Sequence, residues 1–587
     1  MLRVFNLTSP RSVTVALAAG TYFLNRPLNF GPDDSAVLNY EIRYKSASPG
    51  AAILSGAVPV PNWTLYNAAL NIWSAPVPQS VVLNRDTKTM SRGFYINGKR
   101  AERARLSINP IESGMPNLGA VTLSPNGGGY LVNLSGMSDW HNKKDIEIVA
   151  LNAWSMIRCP LDSIAAHEII VQPLCWDRVK NLPTAQYGFG LNWLENNLAF
   201  LSEPGQWYLD QAARKIYYKP RATENMSNMI GELAITEQLI VINGASNLVF
   251  DGLVFEKTNW YGYRNSDPDN PYVGYTPLQS GENSILRQEP RAAIEITKAQ
   301  KISIENSQFK NLGGSALSVL GGSSDISIQH NEFVSAAATG LQVGSPREIR
   351  QTNPQIQNSK IMVQDNLFKD MANEFWDNAS IMIFALRDSS IIHNEIANCP
   401  WSCLAIGWGW GKVDTYNRNV LIANNHIHNG MQRLFDGGGI YTNGKTQGGM
   451  EISTNVIEQI GNIGPPLCNK SYWSKGFQGI YHDQGTNIYH DHDNLVMNIV
   501  PAEILSRNTD GCRGNWMKIN DQMQLIVTKN ATDYDHVTIS ARATPAPGCS
   551  AGDTVTHCIP GESDNLITPH LDTSQRARSI RTHAGRL

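Results

Sequence analysis

Short runs with every second residue apolar recur through the second half of the chain, and each leads into the same polar corner. Ile328-Gln329-His330-Asn331-Glu332-Phe333 returns as Val363-Gln364-Asp365-Asn366-Leu367-Phe368. Ile392-His393-Asn394-Glu395-Ile396 follows, then Asn425-His426-Ile427, Asn455-Val456-Ile457 and Asn494-Leu495-Val496. Ser307-Gln308-Phe309 is the earliest member, with Ser where the others carry Asn. The alternating runs are Ala293 to Ile296, Ala316 to Val319, Gly340 to Val343, Ser380 to Ile383, Cys403 to Ile406, Gly439 to Thr442 and Gly479 to His482. A period of two marks β-strands. The shortest unit runs from Ser315 to Ala338, and longer units carry insertions. Strands this short, with no helical period between them, predict a solenoid whose coils stack as parallel sheets about 4.8 Å apart. The expected fold is therefore all-β, a right-handed parallel β-helix with an inserted antiparallel β region. Asn suits the corners because it tolerates left-handed backbone and its amide can bond to the Asn of the next coil.

The pattern also divides the chain. Residues 1–60 read as opening coils, with Ile53-Leu54-Ser55-Gly56 closing the first. Residues 61–235 break the repeat with aromatic and Gly/Pro punctuation, and Asn97-Gly98 between two strand-like runs signals a hairpin. Coils resume at Leu239 and carry the candidate site through residues 236–530. Residues 531–587 lose the phrase and read as a cap or a disordered tail, basic from Arg576 to Arg586.

Composition narrows the function. The chain has 587 residues, too many for one ordinary compact core, and a net charge of −3. That balance gives no electrostatic footprint for nucleic acid or an anionic membrane. No apolar stretch reaches the roughly 18 residues of a membrane span. Met1 to Phe23 is no clean signal peptide, since Val13 to Leu17 alternates like a strand; a secreted or extracytoplasmic protein is expected, its signal either removed or preceding a sequence that begins inside the mature protein. Eight cysteines permit disulfides, and Cys399 and Cys403 lack a second thiol pair at zinc spacing. No metal or other cofactor is expected, and the expected state is a monomer.

Two neighbouring coils concentrate the candidate chemistry: Phe435-Asp436-Gly437-Gly438-Gly439-Ile440-Tyr441-Thr442 and Gly479-Ile480-Tyr481-His482-Asp483-Gln484-Gly485. Aligning Ile440 with Ile480 stacks Tyr441 over Tyr481. With the isoleucines inward, Tyr441, Tyr481 and Asp483 face out, which makes the two tyrosines substrate-binding candidates. The glycines after Asp436 leave the backbone bare for a ligand. Two carboxylates beside one groove are what glycoside hydrolysis needs, which makes Asp436 and Asp483 the catalytic candidates. They sit at opposite ends of their strands, so the corner must fold back for them to meet; Asp before Gly also simply caps turns. Glu374 and Asp377 precede the Ile381 strand and are further candidates for substrate hydroxyls or as a third carboxylate. Trp408 and Trp410, flanked by glycines, are candidate sugar platforms, against which stands ordinary core filling. His482 joins the substrate-binding candidates, although alternation turns it inward. His490-Asp491-His492-Asp493 reads as a solvated turn.

These pieces resemble glycoside hydrolase family 141 and its β-helix relatives. The matching stretches are Phe94 to Arg100 with Ala104-Arg105, Glu203 to Asp210, Ile406 to Trp410, Asp436 to Tyr441 and Ile480 to Gly485. The resemblance implies a parallel β-helix with an added β region, α-L-fucosidase- or xylanase-like activity on a complex polysaccharide, and Asp436 and Asp483 as the catalytic aspartates. Gly439 stands where Ala is usual and Gln484 where Glu is usual, which leaves the sugar open. A β-helix polysaccharide lyase is the enzymatic alternative, with Lys445 and Arg433 the nearest basic residues. A non-catalytic carbohydrate-binding or adhesin solenoid is the other. In each case the partner is a polysaccharide or oligosaccharide.

Overall fold

The computed structural model describes residues 11–539 except 38, 84–90, 109–121, 125–126, 133, 135, 152–153, 166, 174, 177–189, 262–289, 350–351, 409–413, 435, 462–477, 484, 487, 493, 498–526 and 530–537. Three long sheets run the length of the solenoid, with eleven, ten and ten strands among the described residues. We call them A, B and C. One coil takes Gln300–Glu305 into sheet A, Gln308–Leu312 into sheet B and Ser315–Leu320 into sheet C; the next begins at Ser324–Gln329. Pairing between coils is parallel and in register: Ile302 on Ile326, Phe309 on Phe333, Leu317 on Leu341. The fold is a right-handed parallel β-helix.

Register explains the core. Each inward position meets the same position one coil on, so identical residues pile into columns. Phe255, Phe309, Phe333 and Phe368 stack with ring centroids 4.9, 4.5 and 4.4 Å apart. Offset stacks of this kind add about 0.5–1.5 kcal/mol per pair beyond burial.

The recurrent Asn occupies the corner between sheets A and B as a continuous ladder. The side-chain amide of Asn331 donates to Asn366, Asn366 to Asn394, and Asn394 to Asn425, each at 3.0 Å; the ladder continues to Asn455 at 2.9 Å and Asn494 at 2.8 Å. One detail departs from the sequence expectation. The left-handed residue is the one before the ladder Asn, as at His330, Asp365, His393, Asn424 and Thr454. The corner is turned by that exposed or half-buried neighbour, and the Asn, fully buried, satisfies the backbone of the coils around it.

The break in the repeat forms three smaller sheets, antiparallel except where Glu102–Arg103 pairs with Gln206–Trp207. Phe94–Ile96 and Lys99–Arg100 pair across Asn97 and Gly98, both at positive φ, as a two-residue hairpin requires. The opening coil stacks directly on the coil after the insertion: Ile42 pairs with Leu248, Leu54 with Phe255 and Leu28 with Ile240. The added sheets therefore loop out between consecutive coils.

A buried ion cluster fastens them to the solenoid. Arg92 and Arg103 each donate to Glu147 at 2.8 Å, while Arg92, Arg103 and Arg158 converge on Glu195 at 3.3, 2.5 and 3.0 Å. Burial by itself would raise both carboxyls, but Arg103 and Arg92 hold Glu147 far below its ordinary value, and Arg158, Arg103 and Arg92 bring Glu195 down to about 2. Arg100 donates to Glu374 of the solenoid at 3.2 Å, and the Arg158 guanidinium to its carbonyl at 2.8 Å. Disulfides link Cys159 to Cys175 and Cys399 to Cys403; the other four cysteines lie outside the described residues. Among the described residues no helix is long and apolar enough to cross a membrane.

Candidate functional site

Strands Gly438–Thr442 and Gln478–His482 are neighbours in sheet C, with Ile440 on Ile480 and Tyr441 on Tyr481. Both isoleucines are buried in the core, so alternation puts both tyrosines on the other side of the sheet. Their rings meet edge to face, 5.4 Å between centroids, and each is only 2% exposed. Trp401 covers Tyr441 at 5.1 Å.

The two aspartates are tied to these tyrosines crosswise. Tyr441 donates its hydroxyl to Asp483 Oδ2 of the following coil at 2.5 Å, and Tyr481 donates to Asp436 Oδ1 of the preceding coil at 3.1 Å. Each carboxylate reaches the partner coil's tyrosine, so residues leaving opposite ends of adjacent strands meet over the same pair of rings. Asp436 does this by sitting in the left-handed region, φ 56°, which folds the corner back over the sheet. Burial and the nearby carboxylates, Asp483 above all, hold the Tyr441 phenol well above its ordinary value. The phenol keeps its proton and acts as a donor.

The glycines after Asp436 have a different reason from the one expected. A Cβ at Gly437 would lie 2.5 Å from the Ser402 hydroxyl, at Gly438 3.0 Å from the Gln478 carbonyl, and at Gly439 2.6 Å from Ile457. Protein atoms already fill the space beside them, so close packing between coils, not room for a ligand, demands glycine here. The Gly438 amide donates to the Ser402 hydroxyl at 3.1 Å.

Several expected substrate contacts are placed elsewhere. Trp408 is 1% exposed and packs edge-on against Phe384 at 5.8 Å; it is a core residue, not a sugar platform. Gly407 before it is dictated by the Asn443 carbonyl, which would lie 1.9 Å from a Cβ. Trp410 lies outside the described residues. His482 is fully buried between Thr442, 2.7 Å from Nδ1, and Asp491, 2.7 Å from Nε2, and cannot touch a sugar. Asp491 is therefore no solvated turn residue: it lies in strand Tyr489–His492 and is fully buried. Asp377 is likewise fully buried and accepts the Met156 amide at 3.3 Å. Glu374 is engaged by Arg100 and lies 3.6 Å from Arg92, and so anchors the insertion.

Sequence reasoning missed Trp401 and Trp376. Trp401 lies inside the loop closed by the Cys399–Cys403 disulfide, and that spacing was the available signal. Trp376 is half-buried, 5.5 Å from Trp193 of the inserted sheets. Among the described residues no group of three His, Cys, Asp or Glu side chains could hold a metal ion.

Comparison with known proteins bears on the fold. The family described as "Right handed beta helix region" matches residues 292–495. A solved structure described as "Glycoside hydrolase" aligns with TM-score 0.70 at 21% identity, covering 84% of this chain and 88% of the other. Another, "The complex structure of XylC with xylose", aligns with TM-score 0.45 at 12% identity over 84% of this chain and 65% of the other. No curated protein matches the chain.

Proposed function

We propose that the chain is a glycoside hydrolase acting on a complex polysaccharide, fucose-containing or xylan-type, with Asp436 and Asp483 as its catalytic pair. One observation carries the reading: the crossed Tyr441–Asp483 and Tyr481–Asp436 bonds, which hold two half-buried carboxylates over one pair of rings. Glycoside hydrolysis needs this chemistry, one carboxyl protonating the departing oxygen while the other attacks the sugar or activates water. The tyrosines fix the orientation of both acids, and the covered rings keep water from the inner side of the site. The solved neighbour described as a glycoside hydrolase supports the same reading. So does the resemblance to family 141, which also suggests the α-L-fucosidase- or xylanase-like specificity. The two disulfides fit a protein working outside the reducing cytoplasm.

The experiment is reducing-sugar release from a panel of fucose-containing polymers and xylans, with Asp436→Asn and Asp483→Asn alongside. Release by the parent and loss in both variants is expected. Full activity in either variant would overturn the assignment of that residue, and no release from any polymer would overturn the hydrolase reading.

A further inference from the structure

We propose that Arg433, held on the face of Trp376, is the cation of a subsite for an acidic sugar, one bearing a carboxylate or a sulfate, next to the aspartate pair. The location of bond cleavage rests on the hydrolase reading; the binding claim does not.

Arg433 and Asp436 belong to the same corner, three residues apart. The backbone of that corner is braided onto the disulfide-closed loop. The Met431 amide donates to the Trp401 carbonyl at 3.0 Å, Gln432 to Cys399 at 3.0 Å, and Arg433 and Leu434 both to Pro400 at 2.8 and 2.9 Å. The root of the Arg433 side chain is therefore fixed to that loop. Its guanidinium carbon stands 5.4 Å from the centre of the Trp376 ring. Trp376 is itself immobilised: its amide donates to Met156 sulfur at 3.4 Å, its indole N–H to the Asn373 carbonyl at 3.3 Å, and its ring leans on Trp193.

The contrast with the other arginines nearby is informative. Arg92, Arg100, Arg103 and Arg158 are all engaged by Glu147, Glu195 or Glu374. Arg433 is exposed and, among the described residues, its guanidinium has no carboxylate partner. An exposed cation–π contact is worth only about 0.5–1 kcal/mol, so stability is a weak reason to hold it there. Held over an indole with its side chain exposed, the guanidinium offers a planar fork that matches a carboxylate or sulfate. Two aspartates repel an anionic substrate, and a fixed cation on the same flank offsets that repulsion. Trp376 precedes strand Ile381–Ile383, and Asp436 precedes the strand two positions further along sheet C, so the strands that carry the indole and the first acid are about 10 Å apart along the solenoid axis. That distance suits a sugar neighbouring the one that is cleaved.

The test measures binding to Asp436→Asn protein by calorimetry, so turnover plays no part. The probes are glucuronic-acid-substituted xylo-oligosaccharides, sulfated fuco-oligosaccharides, and neutral oligosaccharides of equal length. One acidic series is expected to bind about tenfold more tightly than its neutral counterpart, weakening with salt. Arg433→Gln in the same background removes that preference and leaves neutral binding unchanged, while Arg433→Lys restores part of it. The series that shows the preference identifies carboxylate or sulfate. Equal binding of acidic and neutral probes, or a preference that survives Arg433→Gln, overturns the subsite. Reducing-sugar release by the unmodified protein is scored separately, so a failed hydrolase reading and a failed subsite are told apart.

Discussion

The corner joining sheet A to sheet B and the flank around sheet C are made by the same coils under different rules. At the first, every coil places the same kind of residue in the same place, from Asn331 to Asn494, and each buried amide serves the backbone of its neighbours. At the second, successive coils carry different residues ahead of the strand: Asp377, then Trp401 within a disulfide loop, then Asp436. The ladder is polar and inert because all its hydrogen-bonding capacity is spent between coils. The aspartates are half-buried, and each accepts a tyrosine hydroxyl at the edge of the core. A solenoid can afford variation on one flank because the other fixes register.

The largest expected effect lies on the variable flank. Asp436→Asn and Asp483→Asn should each lower kcat by about 10³-fold, the scale of a lost general acid or base. Their unfolding free energies should stay within about 1 kcal/mol of the parent, since an amide oxygen can still accept each tyrosine hydroxyl. If urea unfolding showed these variants to be the unstable ones, the division of labour between the two corners would be wrong.

The converse substitution is Asn394→Ala. It deletes the bonds from Asn394 to Val363, Ile392 and Asn425 and strands the Asn366 amide that donates to it. Each buried group left unpaired costs about 1–3 kcal/mol, so a total loss of about 3 kcal/mol is expected in urea unfolding. Specific activity of the folded fraction should be unchanged. A loss below about 1 kcal/mol would show that water substitutes for the ladder.

Acid separates a third region from both. The ladder asparagines have no titratable group, whereas Glu147 and Glu195 titrate lower in the folded protein than the roughly 4.3 of an unfolded chain. Their contribution is complete above that value and is lost as pH falls towards about 2. The urea midpoint should hold between pH 7 and 5 and fall by the equivalent of about 2 kcal/mol by pH 3. A midpoint that is flat down to pH 3 would remove the ion cluster from the account of how the insertion is held.

The ladder corner was the legible part of the sequence, and the physics explains why. Parallel in-register stacking repeats one residue at one position, so Asn331, Asn366 and Asn394 advertise the fold directly. The insertion announced itself only by breaking the pattern, because its Arg–Glu contacts join residues such as Arg92 and Glu195 that no local period connects. At the site, aligning Ile440 with Ile480 was enough to stack the tyrosines. Alternation did not reveal how Asp436 turns back, since that depends on one left-handed residue. Glycine spacing misled at Trp408 and after Asp436, where the glycines answer close approaches by Asn443, Ser402 and Ile457. Asp491 was misread because its partner, His482, is inward-facing and on the neighbouring sheet.

The finest test of the comparison removes one hydroxyl from the core side of the site. Tyr441→Phe keeps the ring against Trp401 and Tyr481 but deletes the donor to Asp483. Packing is conserved, and the lost bond ends on a half-buried carboxylate that water can reach, so stability should change by less than about 1 kcal/mol. Orientation of the acid is lost, and kcat should drop about tenfold with little change in KM, the pattern for a group that positions a reacting residue. Tyr481→Phe should do the same through Asp436, and by a smaller factor, because its 3.1 Å bond is the longer of the two. If instead Tyr441→Phe lowered stability by as much as Asn394→Ala and left kcat intact, the tyrosine pair would be part of the structural corner, and the boundary between the two regions would run outside the rings rather than through their hydroxyls.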